Sequence, residues 1–124
     1  MTLATMSFGN EPLIDRHVHH YLSELLGPSD YLELLRSAVV QLIDAADSLH
    51  QPLGRAELGA LAHRIKGSMG SMGLARLALV AAQVEGRCKQ DTNDAQNVLM
   101  LGGVIAETRR VLESFLAQPL FPHP

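Results

Sequence analysis

The stretch RAELGALAHRIKGSMGSMG, residues 55–73, decides how this chain folds. At about 100° per residue around a helix, Leu58, Leu61, Ile65, Met69 and Met72 fall on one stripe, the pattern of an amphipathic helix laid on a core. His63 points the opposite way. Lys66, Gly67 and Gly70 lie within roughly 60° of it on the same outer face. The stretch therefore predicts a helix that begins near Arg55, breaks at Gly73 and shows solvent an imidazole, a cation and two bare backbone positions.

Working outward, Asn10, Glu11 and Pro12 form a helix-start signal ahead of the apolar positions Ile14, Val18, Tyr21, Leu22 and Leu25, and Gly27 with Pro28 ends that segment. A second start at Ser29 and Asp30, with Glu33 following, leads into the stripe Leu35, Val39, Leu42, Ala46, Leu49, closed by Pro52 and Gly54. Downstream of Gly73 a fourth segment carries Leu74, Leu77, Ala81, Val84 and Cys88. Asn93 with Gln96 caps a last one, whose stripe is Val98, Leu101, Ile105, Leu112 and Phe115, with Pro119 after it. No strand-like alternation and no internal repeat interrupts this pattern. Helical segments joined by short loops predict an all-α chain, an antiparallel four-helix bundle with an additional N-terminal helix. The bundle is expected over residues 11–118, between a flexible N-terminus, 1–10, and a tail, 119–124.

Composition bounds what such a bundle can do. The 124 residues fit one domain, and with 47% hydrophobic residues, 4% aromatics and no Trp the core has to be built from Leu, Val, Ile, Ala and Met. A formal charge of -3 argues against a nucleic-acid binder, which needs a basic face. Cys88 is the sole cysteine, so neither an internal disulfide nor a cysteine-based zinc motif is available. The reading favours a reducing, cytoplasmic setting: the start MTLATMSFGN lacks the pattern of a signal peptide, and no run of ~18 uncharged apolar residues offers a membrane span.

Glycines inside a helix cost about 1 kcal/mol each relative to alanine, so Gly67, Gly70 and Gly73 forgo roughly 3 kcal/mol. Gly73 is accounted for as a break. Gly67 and Gly70, on the His63 side, leave room for another protein to reach the imidazole. A neutral imidazole nitrogen is nucleophilic near neutral pH, and a hydrogen bond to the other nitrogen fixes the tautomer. Phosphoryl transfer is largely positioning and charge neutralisation, for which Lys66, one turn from His63, is placed.

Residues 62–73, AHRIKGSMGSMG, resemble the signature of histidine phosphotransfer (HPt) domains of multistep phosphorelays. In that family the phosphorylated histidine is followed by a hydrophobic residue, Lys, Gly, small residues and a further Gly; here these are Ile65, Lys66, Gly67, Ser68 and Gly73. The resemblance extends more loosely from about Leu34 to Glu113 and implies an HPt-type bundle. It implies that His63 accepts a phosphoryl group from a receiver aspartate or a kinase and passes it to another receiver, with Lys66 balancing charge. In the similar chemotaxis-kinase domains a glutamate on the next helix contacts the ring, and Glu85 stands at that spacing. Other members place Gln or a basic side chain there, which keeps Gln83, Arg87 and Lys89 as alternatives. Sensor-kinase dimerisation helices resemble a different pattern, with an acid directly after the histidine where this chain has Arg64.

The implied partners are a response-regulator receiver domain and a hybrid sensor histidine kinase, docking over Arg64, Gly67, Gly70 and Lys89. Nucleic acid and membrane are not expected partners, and the chain is expected to be a monomer. No cofactor is implied, any magnesium belonging to the receiver, and no ATP-dependent kinase activity. The competing reading is a helical adaptor or antagonist that binds receivers or kinases on the same face without chemistry. Other candidates read more plainly. His17 and His20 could share a helix face, with Asp15 or Glu24 nearby, but lack a full metal-ligand set. Cys88, Met69 and Met72 sit at core spacing, Arg109 and Arg110 on a solvated edge, and His50 and His123 in a loop and the tail.

Overall fold

The computed structural model describes residues 12–90 and 94–117, which form five helices: α1 (Arg16–Leu26), α2 (Pro28–Leu49), α3 (Arg55–Gly70), α4 (Ala75–Cys88) and α5 (Asp94–Ala117). Helices α2 to α5 make the antiparallel bundle. Helix α3 packs mainly on α4, and α5 packs on both α2 and α4, while α2 and α3 meet over few residues. A cleft of about 270 Å³ lies between those two, its polar lining Gln41, Asp44, Ser48, Arg64 and Ser68 set over the apolar Leu42, Leu61, Ile65 and Met69. Helix α1 is the additional helix and lies along α2.

The stripe read from the sequence of α3 is the core face. Leu58, Leu61, Ile65, Met69 and Met72 are all buried, against Leu35, Leu42, Leu77, Val84, Leu101 and Ile105 from the other three helices. Burial of aliphatic side chains of this size stabilises by roughly 1.5–3 kcal/mol each. One charged pair lies inside: Arg76 of α4 donates to Glu107 of α5 at 3.1 Å, with both side chains nearly inaccessible.

Helix α3 starts where Glu57 accepts a hydrogen bond from the Gly54 backbone N–H at 3.1 Å. It ends in a Schellman closure: Gly73 sits at φ +80°, its N–H bonds to the Gly70 carbonyl, and the Leu74 N–H reaches back to Met69. The start of α1 is pinned to this turn, since the Asp15 N–H donates to the Gly73 carbonyl at 2.7 Å.

The N-terminal part departs from expectation in two respects. The cap of α1 is Asp15, whose carboxylate accepts from the N–H groups of His17 and Val18 at 2.9 and 3.2 Å, so Pro12 to Ile14 precede the helix. The expected cap at Asn10 and Glu11 lies outside the described residues, as do Asn93 and Pro119. Pro28 does not close α1 but opens α2 as its first residue, with Gly27, at φ +84°, capping both helices. Of the apolar positions of α1, Tyr21 and Leu25 are 62% and 63% exposed. The bundle touches α1 along a narrow line only. Val18 backs onto Gly73, and His19 stacks edge-on against Tyr31 and Phe115 while hydrogen-bonding the Tyr31 hydroxyl.

Candidate functional site

Two close approaches set the spacing of α3 and α4. A Cβ on Gly59 would stand 3.3 Å from Cβ of Cys88, and one on Gly70 would stand 3.4 Å from Cβ of Ala78. Between these two contacts α3 turns His63 and Lys66 toward Glu85 of α4. Nδ1 of His63 lies 2.7 Å from Oε2 of Glu85, and Nζ of Lys66 donates to Oε1 of the same carboxylate at 2.7 Å. Glu85 is the inner member, its side chain 15% exposed, whereas that of His63 is 66% exposed. The hydrogen bonds from Lys66 first, and from His63 second, hold the Glu85 carboxyl below the usual glutamate range.

An ionised carboxylate only accepts hydrogen bonds, so the proton of the neutral imidazole sits on Nδ1 and the lone pair on Nε2. The arrangement thus presents an exposed, oriented nucleophilic nitrogen with an ammonium group one helical turn away.

The other anticipated residues divide by their surroundings. Gln83 is exposed on α4, and Arg87 turns to α5, donating to Asn97 at 2.7 Å and to Gln96 at 3.3 Å. Glu85 is therefore the α4 side chain that meets the ring. Gly67 faces open space. Gly70, expected beside it on the outer face, is half-buried against Ala78. Arg64 and Lys89 are exposed and border a groove of about 440 Å³ between α3 and α4, into which His63 also opens. Ala56, Gly59, Ala60 and Cys88 line the groove too. The sequence reading passed over these small residues, although 56, 59, 60 and 63 recur at the spacing of one helix face.

The other described histidines of α1 stand apart from the site, and His123 lies outside the described residues. His20 pairs with Glu24 at 3.6 Å, His17 is exposed, and His19 is turned inward, where burial lowers its pKa. Among the described residues no three His, Cys, Asp or Glu side chains come together as a metal site, and no helix is long and apolar enough to cross a membrane.

A family model described as the Hpt domain matches residues 29–118, the stretch from the first turn of α2 to just past the end of α5. No curated protein and no solved structure matches the chain.

Proposed function

This chain belongs to the Hpt domain family, and from that premise we propose that His63 is its phosphoryl acceptor, charged from a receiver aspartate or a kinase and discharged onto another receiver. Membership itself implies histidine phosphotransfer within phosphorelays, in contact with receivers and histidine kinases. What supports the assignment to His63 is its bond to Glu85: among the described residues it is the histidine whose ring is exposed while its Nδ1 is held by a carboxylate.

In this reading Nε2 attacks the phosphorus of the receiver's aspartyl phosphate. The N–P bond forms as the P–O bond to the aspartate breaks, and the aspartate leaves as a carboxylate. Positive charge that develops on the ring is stabilised through the Nδ1–H donated to Glu85. Lys66 shifts from Glu85 toward the incoming phosphoryl oxygens. Return of the group to a second receiver follows the same path backwards. Arg64, Gly67 and Lys89 belong to the partner-facing side, and the chain acts as a carrier without ATP-dependent kinase activity, in the cytoplasm and as a monomer.

The test is incubation with a panel of phosphorylated receiver domains, followed by detection of acid-labile, alkali-stable phosphate on wild type and on His63→Gln. Label on wild type alone is the expected result. Binding without label on either protein would replace this reading with the adaptor one.

A further inference from the structure

Helix α1 rests on the bundle without any of its residues becoming fully buried. Its hold consists of the Asp15 N–H bonded to the Gly73 carbonyl, Val18 against Gly73, Leu22 partly buried against the core, and His19. His19 is the titratable side chain in that line of contact. Its half-buried ring stands edge-on to Tyr31 of α2 and Phe115 of α5, with centroids 4.9 and 5.7 Å away, and its Nδ1 is hydrogen-bonded to the Tyr31 hydroxyl. An attachment this thin is of the kind that opens locally at a small free-energy cost. Every residue of the buried core cluster lies between Tyr31 and Leu112, so that core is complete without α1.

The docked ring has no countercharge. From α2 it is faced by Tyr31, whose phenol burial holds in the protonated form by raising its pKa. From α5 it is faced by uncharged Phe115, and along α1 by His20, a second base that pairs with Glu24 at 3.6 Å. Among the described residues no carboxylate bonds to His19. A neutral phenol serves a neutral imidazole as donor or acceptor, but it does not neutralise an imidazolium, and burying an unpaired charge is costly. Burial first, and His20 second, accordingly lower the pKa of the ring. We propose that His19 makes α1 a pH-sensitive strap, whose release from α2 and α5 accompanies proton uptake by the ring while helices α2 to α5 stay folded. A ring that docks with its pKa below the ordinary value of about 6.5 gains a proton on release. Docking is therefore at full strength above that value and weakens as pH falls toward the docked-state pKa.

Hydrogen exchange of the full chain tests the strap, with protection factors corrected for the intrinsic pH dependence of exchange. Between about pH 7.5 and about pH 5.5, a window above the ordinary carboxylate range, the amides of residues 21–26 are expected to lose protection by roughly three- to tenfold. The amides of α2 to α5 keep theirs, and the loss shares its midpoint with the His19 ring followed by NMR. His19→Phe keeps an aromatic ring between Tyr31 and Phe115 but takes up no proton, and is expected to abolish the pH dependence. His17→Gln, at an exposed histidine of the same helix, leaves it in place. Wild-type protection that does not change with pH overturns the proposal, as does a loss that persists in His19→Phe or that runs through α2 to α5 as well. Should His19→Phe fail to dock α1, the wild-type ring titration decides. A His19 midpoint below about 6.5 that coincides with the loss of α1 protection sustains the proposal, and a midpoint at or above that value, or one apart from the loss, overturns it.

Discussion

Oε2 of Glu85 stands 2.7 Å from Nδ1 of His63, and through its other oxygen, 2.7 Å from Nζ of Lys66, the same carboxylate restrains the nearby cation. One side chain of α4 therefore holds both the ring and the ammonium group; in the proposed reading it orients the acceptor and keeps in reserve the charge that phosphorylation would call on. Nitrogen and ammonium lie on neighbouring turns of α3, but it is α4 that fixes their relation. In that reading the distance between these two helices is a determinant of the chemistry.

Replacing the carboxylate while keeping its shape isolates this effect. Glu85→Gln retains an acceptor for Nδ1–H but not the charge, and partners of this kind typically matter by about 10–100-fold. We expect the initial rate of label uptake from a receiver to fall by that order, with Nδ1 of His63 no longer uniformly protonated in nitrogen NMR spectra. An unchanged rate would remove Glu85 from the mechanism.

The depressed pKa of Glu85 has a consequence for stability. A carboxyl whose folded-state pKa lies below its unfolded-state value stabilises the fold above that unfolded-state value, and the contribution is lost as pH falls through the folded-state pKa. Wild type should melt at higher temperature than Glu85→Gln at neutral pH, and the two melting curves should converge on acidification through the depressed range. A difference that grows toward low pH contradicts the assignment.

Gly59 and Gly67 should respond oppositely to added side chains. Gly67 faces open space within a helix, so Gly67→Ala is expected to stabilise by about 1 kcal/mol. Gly59→Val would press on Cys88, 3.3 Å from the first added carbon, and should destabilise by about 1–3 kcal/mol through overpacking. Urea unfolding of both variants measures the contrast; equal effects would mean that Gly59 does not set the α3 to α4 distance.

Gly73 combines a left-handed backbone, φ +80°, with a would-be Cβ only 2.9 Å from Val18. Gly73→Ala should cost at least about 1–2 kcal/mol from the backbone alone, and should expose the amide of Asp15 to hydrogen exchange by loosening its bond to the Gly73 carbonyl. Protection of that amide at the wild-type level would show that α1 is held elsewhere.

How much of this was legible beforehand depended on what each residue's neighbours were. The burial of Leu58, Leu61, Ile65, Met69 and Met72 and the exposure of His63 follow from helical periodicity, because α3 is flanked by other helices along its apolar side. Glu85 was reachable only through the family resemblance; spacing alone does not say which of Gln83, Glu85, Arg87 or Lys89 meets a ring on another helix. Gly70 was misplaced because a helical wheel gives direction but not the position of the neighbouring helix, and Ala78 lies within that sector. Tyr21 and Leu25 are exposed because α1 has apolar residues on more sides than it has partners. The start of α1 lies later than the Asn10 to Pro12 signal because the Asp15 carboxylate accepts from two backbone N–H groups and so fixes the cap.

The central claim is that Nε2 of His63 carries the phosphoryl group while Nδ1 stays bound to Glu85. Its most direct test is to phosphorylate the wild-type chain from a cognate receiver and determine by phosphorus–proton NMR which ring nitrogen of which histidine is bonded to phosphorus. The account predicts a single phosphohistidine, at Nε2 of His63. Phosphate at Nδ1 of His63, or on any other residue, would contradict it.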